Sequence, residues 1–225
     1  MKKKFFRAFT LIELLVVIVT IGILFAIFTP VFNGILERAK ATKDMSNLRQ
    51  IAMATQLYMN DNSNDFPGST TASWMSQLEL NRKYLSVWRI LESPFDKRST
   101  SESGDGTTAI SYGINSNVYT GGVAILADKI TKPTAFIVFA PAQASTGTVS
   151  FLGAGNSSFP GVTVAANTST PGGNAIGGTH SNRRKINALF ADWHAETMAW
   201  SGTGPAFTHI SDPGGDPDAP YRWSP

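Results

Sequence analysis

Apolar residues fill the chain from Phe9 to Phe32, with Glu13 the single charge among them. The run matches the roughly 20 residues that a membrane-spanning helix requires. Beyond Pro30 the pattern turns amphipathic. Ala41, Met45, Leu48, Ala52, Thr55 and Met59 recur at steps of three and four, Ile51 and Tyr58 widen the stripe, and Glu37, Arg38, Lys40, Lys43, Arg49 and Gln50 fall on other faces. This spacing predicts a second helical stretch over 33–62, ended by Asn60-Asp61-Asn62-Ser63-Asn64-Asp65 and Pro67-Gly68. A continuous helix from Phe9 to about Asn60 would be roughly 75–80 Å long at 1.5 Å per residue. A membrane helix broken at Pro30 and followed by a separate helix is the other arrangement this pattern allows.

From Phe66 the apolar segments become short and are punctuated by Gly, Asn, Ser and Pro. Trp74-Met75-Ser76-Gln77-Leu78 reads as the start of a short helix. Ser111–Asn115, Ala135–Phe139 and Ile186–Phe190 read as strands. A long helix followed by strands without βαβ alternation predicts an α+β fold, with a small antiparallel sheet packed on the helix. The globular part spans 66–200. Within it, 145–180 is almost uncharged and rich in Gly, Ser, Thr and Asn, which reads as a surface insertion, either a variable loop or an adhesive one. A Gly/Pro-rich tail occupies 201–225.

Composition changes the picture in two ways. Charged residues make up only 16% and cysteine is absent, so disulfides, thiolate metal sites and a cysteine nucleophile are excluded. The net charge of +3 includes Lys2, Lys3, Lys4 and Arg7, and without those four the remainder stands at −1. A nucleic-acid footprint therefore has no support. The same basic cluster, lying ahead of the apolar run, predicts a cytoplasmic N-terminus and an external C-terminal domain.

Three readings compete for the apolar run. A cleaved secretory signal wants a shorter core followed by small-x-small residues, which are missing here. A plain signal anchor fits the length and leaves Glu13 without a role, although a carboxylate in a membrane helix costs about 2.5–3.5 kcal/mol. In the third reading, Ala8-Phe9-Thr10-Leu11-Ile12-Glu13-Leu14 resembles the cleavage and methylation motif of type IV prepilins and type II secretion pseudopilins.

That resemblance implies a leader, 1–8, cut between Ala8 and Phe9 by a prepilin peptidase that then N-methylates Phe9. It implies that Glu13 directs assembly with other pilin-like subunits, through 9–32, on an inner-membrane platform. The product would be a structural subunit of a type II secretion pseudopilus or type IV pilus-like filament. It would start as a single-pass inner-membrane protein in contact with lipid, its domain periplasmic, and end in a filament or at the cell surface. The family usually has Gly where Ala8 stands, so slower cleavage is the expected consequence. Gly22 and Pro30 fall where such proteins carry helix-weakening residues; Gly and Pro are also simply common in membrane helices.

The order Ser93-Pro94-Phe95-Asp96, Ser111-Tyr112-Gly113-Ile114-Asn115, Lys132-Pro133, His180 and Phe190-Ala191-Asp192-Trp193-His194 is similar to bacterial pseudopilin-like proteins ending in His-spacer-Asp-Gly-His. Ser93 replaces a Cys of that pattern and Trp193 its turn Gly. Because Gly tolerates positive φ, either the turn differs or Trp193 serves a contact.

Chemistry in the domain has three candidate locations. His180, Asp192 and His194, joined by Glu196, supply donor types for a transition metal, or alternatively hydrogen bonds within a hairpin. Asp212, Asp216 and Asp218 offer carboxylates for calcium, or belong to a disordered acidic tail. Trp193, Trp200, Tyr221 and Trp223 would suit a membrane-anchored, non-polymerising protein that binds polysaccharide. The sequence has no phosphate loop, no nucleophile elbow and no nucleophile–base pair, and it reads as a non-enzyme without a cofactor.

Overall fold

A computed structural model describes residues 9–68, 74–79, 83–96, 110–120, 123–144, 150–151, 162–163, 176–177, 179–181, 185–199, 218, 221 and 225. The segment read as a leader, 1–8, and most of the stretches read as an insertion, 145–180, and a tail, 201–225, lie outside the described residues. The chain divides into two compact units, 1–39 and 40–225.

In the first unit every side chain described from Phe9 to Leu36 is exposed, including Leu11, Ile18, Leu24, Phe28 and Phe32. These residues begin α1 (Leu11–Asp61), which runs through Pro30 without a break. Its N-terminal stretch is long and apolar enough to cross a membrane.

In the second unit α1 buries one face, made of Asp44, Asn47, Leu48, Ile51, Ala52, Ala54, Thr55 and Met59. The expected stripe is present but rotated. Ala41 and Met45 are only half-buried, and the polar Asp44 and Asn47 lie on the buried side. The helix ends where Ser63 and Asn64 take positive φ of 55° and 67°, and the Asn64 N–H donates to Met59 O. Asn62 Nδ2 covers the Tyr58 carbonyl at 2.7 Å. Such αL residues satisfy carbonyls that a helix end leaves open.

Short α2 (Trp74–Glu79) buries Trp74, Met75 and Leu78. The strands that follow are β1 (Ile110–Asn115), β2 (Tyr119–Thr120), β3 (Val123–Ala124), β4 (Ile137–Ala144), β5 (Ser150–Phe151), β6 (Val162–Thr163), β7 (Ile176–Gly177), β8 (Lys185–Phe190) and β9 (Ala195–Ala199). Four of them form an antiparallel sheet in the order β1-β4-β8-β9, and β5 runs parallel along the outer edge of β1. β2 pairs with β3 and β6 with β7. This is the α+β architecture, a long N-terminal helix with a small antiparallel sheet.

Two sequence expectations are corrected. The strand read from Ala135 starts at Ile137, because the Ala135 and Phe136 N–H groups both donate to Lys132 O in a turn. The 145–180 segment is not wholly outside the core structure, since β5 pairs with the sheet and His180 is buried. Along β4 the run Ile137–Ala140 is fully buried, as is Ile186–Phe190 of β8, which suits central strands.

Candidate functional site

At the head of α1, Thr10 and Glu13 form a reciprocal cap. The Thr10 N–H donates to Glu13 Oε2 at 2.9 Å, the Thr10 hydroxyl donates to the same oxygen at 2.7 Å, and the Glu13 N–H donates back to Thr10 Oγ1 at 3.3 Å. Threonine followed three residues later by glutamate is a capping box, which satisfies N–H groups that a helix start leaves open. Within a single chain Glu13 therefore has a local partner, a role that the plain anchor reading did not recognise. The sequence signal was present in Thr10-Leu11-Ile12-Glu13. Phe9 is 78% exposed just outside the cap. A Cβ built on Gly22 meets nothing within 4 Å in the chain itself.

The metal donors read from the sequence are divided. His194 Nδ1 contacts Asp192 Oδ1, its Nε2 lies 3.8 Å from Glu196, and its ring stacks on Phe190 at 4.3 Å. His180 instead bridges to Lys185, at the start of β8, and stacks on Phe95 at 5.3 Å. Five residues of strand, roughly 16 Å at the usual rise, separate Lys185 from Phe190 and the turn beyond it. Among the described residues no three His, Cys, Asp or Glu are grouped to hold a metal. Asp192 and His194 lie in the turn 191–194 between β8 and β9, and Glu196 lies on β9 beyond it. Asp192 caps that turn by accepting the His194 N–H at 3.2 Å.

Trp193 takes φ 72°, so the turn keeps a glycine-like conformation with a tryptophan in it. Its ring packs 6.2 Å from that of Phe66. Of the tail carboxylates, Asp218 pairs with Lys132, whose ammonium also lies over the Tyr221 ring. Asp212, Asp216, Trp200 and Trp223 lie outside the described residues.

The densest polar cluster is one the sequence reading missed. Asp44, on the buried face of α1, accepts the Ser93 hydroxyl at 2.5 Å and the Tyr112 hydroxyl at 2.6 Å on Oδ1, and Asn187 Nδ2 at 2.9 Å on Oδ2. Asn187 also donates to Ala41 O and accepts the Thr197 hydroxyl at 2.7 Å. Asn47 Nδ2 donates to Glu92 O at 2.9 Å and reaches Tyr112 Oη at 3.4 Å. Burial pushes the Asp44 carboxyl above its ordinary range, outweighing the opposing pull of Ser93, Tyr112, Asn187 and the His180 charge. Burial, then the Asp44 charge, raises the Tyr112 hydroxyl well above its usual value, so it stays neutral. The available signal was that Asp44 precedes Leu48 by four and Ile51 by seven, on the same stripe.

Beside this cluster opens a cleft of about 500 Å³ lined by Lys43, Asn47, Arg89, Glu92, Ser93 and Asp96, among others. Comparison with known proteins adds no relative: no family model, no curated protein and no solved structure matches the chain.

Proposed function

We propose that the chain is a pilin-like structural subunit of a type II secretion pseudopilus or type IV pilus-like filament. In this reading a prepilin peptidase cuts between Ala8 and Phe9 and methylates Phe9. The protein waits in the inner membrane with its domain in the periplasm, then joins other pilin-like subunits on an assembly platform. The observation that carries the reading is the head of α1, where Phe9 and the Thr10–Glu13 cap introduce an exposed apolar helix whose first 25 residues hold no other charge.

Two physical arguments support it. A fully exposed apolar helix must be covered by lipid or by other chains, and a helical filament offers both in succession. A cationic amine freed at Phe9 of a neighbouring subunit is a complementary partner for a Glu13 carboxylate in low dielectric.

Two measurements test this. Mass spectrometry of the mature protein is expected to find an N-terminal peptide beginning at Phe9 with one added methyl. An intact Met1, or a cut beyond residue 25, would sink the reading. Glu13→Gln keeps a capping acceptor while removing the charge, whereas Glu13→Ala removes both. Both variants are expected to insert in the membrane and fail to enter filaments. Normal assembly of Glu13→Gln would reduce Glu13 to a helix cap.

A further inference from the structure

Lys43, Asn47 and Gln50 follow one another on α1 at steps of four and three, and so stand in one row along the helix. All three line the cleft of about 500 Å³. Its opposite wall is the 86–96 segment, which includes the single 3-10 turn Trp88–Leu91 and contributes Arg89, Glu92 and Asp96. Both walls belong to the 40–225 unit. The volume falls within the roughly 300–1,000 Å³ of small-molecule sites.

Asn47 stands in the middle of the row and is 1% exposed. Its Nδ2 donates to Glu92 O at 2.9 Å and reaches Tyr112 Oη at 3.4 Å. A carbonyl oxygen only accepts, so the first bond fixes which end of the amide is Nδ2. Oδ1 is then left buried without a hydrogen-bond partner, the one such side-chain atom among the described residues. Folded chains rarely leave a buried acceptor open, and one on a residue that lines a cleft calls for a donor brought by a ligand.

The lining sets the class of that donor. Lys43 and Arg89 bring two positive charges, Glu92 and Asp96 two negative ones, and Arg89 Nε lies 3.8 Å from Glu92 Oε2. With these charges balanced, neither a phosphate-like anion nor a polyamine gains a net attraction. Amide, ammonium, guanidinium and carboxylate groups together offer both donors and acceptors, which suits hydroxyls, since each hydroxyl can act as either. Val87, Ile90 and Pro94 add aliphatic surface for the C–H face of a sugar ring. A peptide would ask instead for a free strand edge or an apolar groove, and the walls here are helix and turn.

We propose that this cleft binds a neutral saccharide, one hydroxyl donating to Asn47 Oδ1 and others shared between Lys43 and Gln50 on α1 and Arg89 and Glu92 opposite. The site does not depend on the filament reading.

The test titrates the full chain, in a zwitterionic detergent that carries no sugar head group, with cellobiose and with N,N′-diacetylchitobiose. NMR follows the backbone amides and the Asn47 side-chain amide. Saturable shifts confined to 43–50 and 86–96, including the Asn47 side chain, are expected with at least one disaccharide. Gln50→Ala and Arg89→Ala should each weaken binding by about two- to tenfold, and Met53→Ala, outside the cleft, should leave it unchanged. Silence with both disaccharides overturns the proposal, as do shifts that bypass Asn47, binding that survives both cleft variants, or an equal loss at Met53. Inorganic phosphate, putrescine and N-acetyl-trialanine amide serve as competitors. Tighter binding of any of them at the same residues assigns the cleft to an anion, an amine or a peptide and equally overturns the saccharide reading.

Discussion

Trp193 adopts a backbone conformation that glycine reaches freely and that other residues enter at about 1–2 kcal/mol. Its contact with Phe66 offsets that strain. Trp193→Ala and Trp193→Gly both lose the ring, and only glycine also relieves φ. Chemical denaturation should accordingly find Trp193→Gly more stable than Trp193→Ala by about 1 kcal/mol; equal stabilities would mean that the turn relaxes once the ring is gone. The sequence offered two explanations for this residue, an altered turn or a contact. The structure combines a retained turn conformation with a contact, because side-chain packing across the unit outweighs a local preference of this size. At Ser93 the sequence showed only a departure from a familiar pattern, whereas its bond to Asp44 joins residues 49 apart and has no local signature.

At the scale of the element, α1 was legible as a periodic stripe and illegible in the polar residues on it. Spacing marks Leu48, Ile51, Ala52 and Met59 as one face, and all are buried. The same spacing includes Asp44 and Asn47, which are buried because Ser93, Tyr112, Asn187 and the Glu92 carbonyl meet them there. Truncation on the two sides should differ sharply. Ile51→Ala, at 0% exposure, is expected to cost about 2–5 kcal/mol in denaturant unfolding. Met53→Ala, at 56% exposure, should stay within about 0.5 kcal/mol. A comparable loss at Met53 would mean that this face is covered in the protein as prepared. The strand boundaries were less legible: Ala135 and Phe136 are as apolar as Ile137, and the Lys132 carbonyl draws them into a turn.

For the whole molecule, the exposed apolar start of α1 is long and apolar enough to cross a membrane, and membrane association is the expected behaviour of the full chain. After expression, alkaline carbonate extraction should leave the full chain in the membrane pellet. Release into the supernatant would mean that the helix lies on the surface or is covered by protein. Replacing Ile18 by Arg adds about 2.5–3.5 kcal/mol to insertion and should lower the membrane-integrated fraction.

Local order in the sequence determined the apolar run, the helical stripe, the capping residues Thr10 and Glu13, and the approximate positions of β1, β4 and β8. Each depends on side chains within about four residues of one another, where helix and strand geometry repeats. Tertiary structure alone decided which polar groups share the core and which candidate ligands meet. Asp44 and Asn187 are 143 residues apart and bonded, while His180 and Asp192 are only twelve apart and held at opposite ends of β8. Buried polar groups are selected by the partners that strand pairing brings to them, and that pairing is a property of the folded sheet rather than of any single segment.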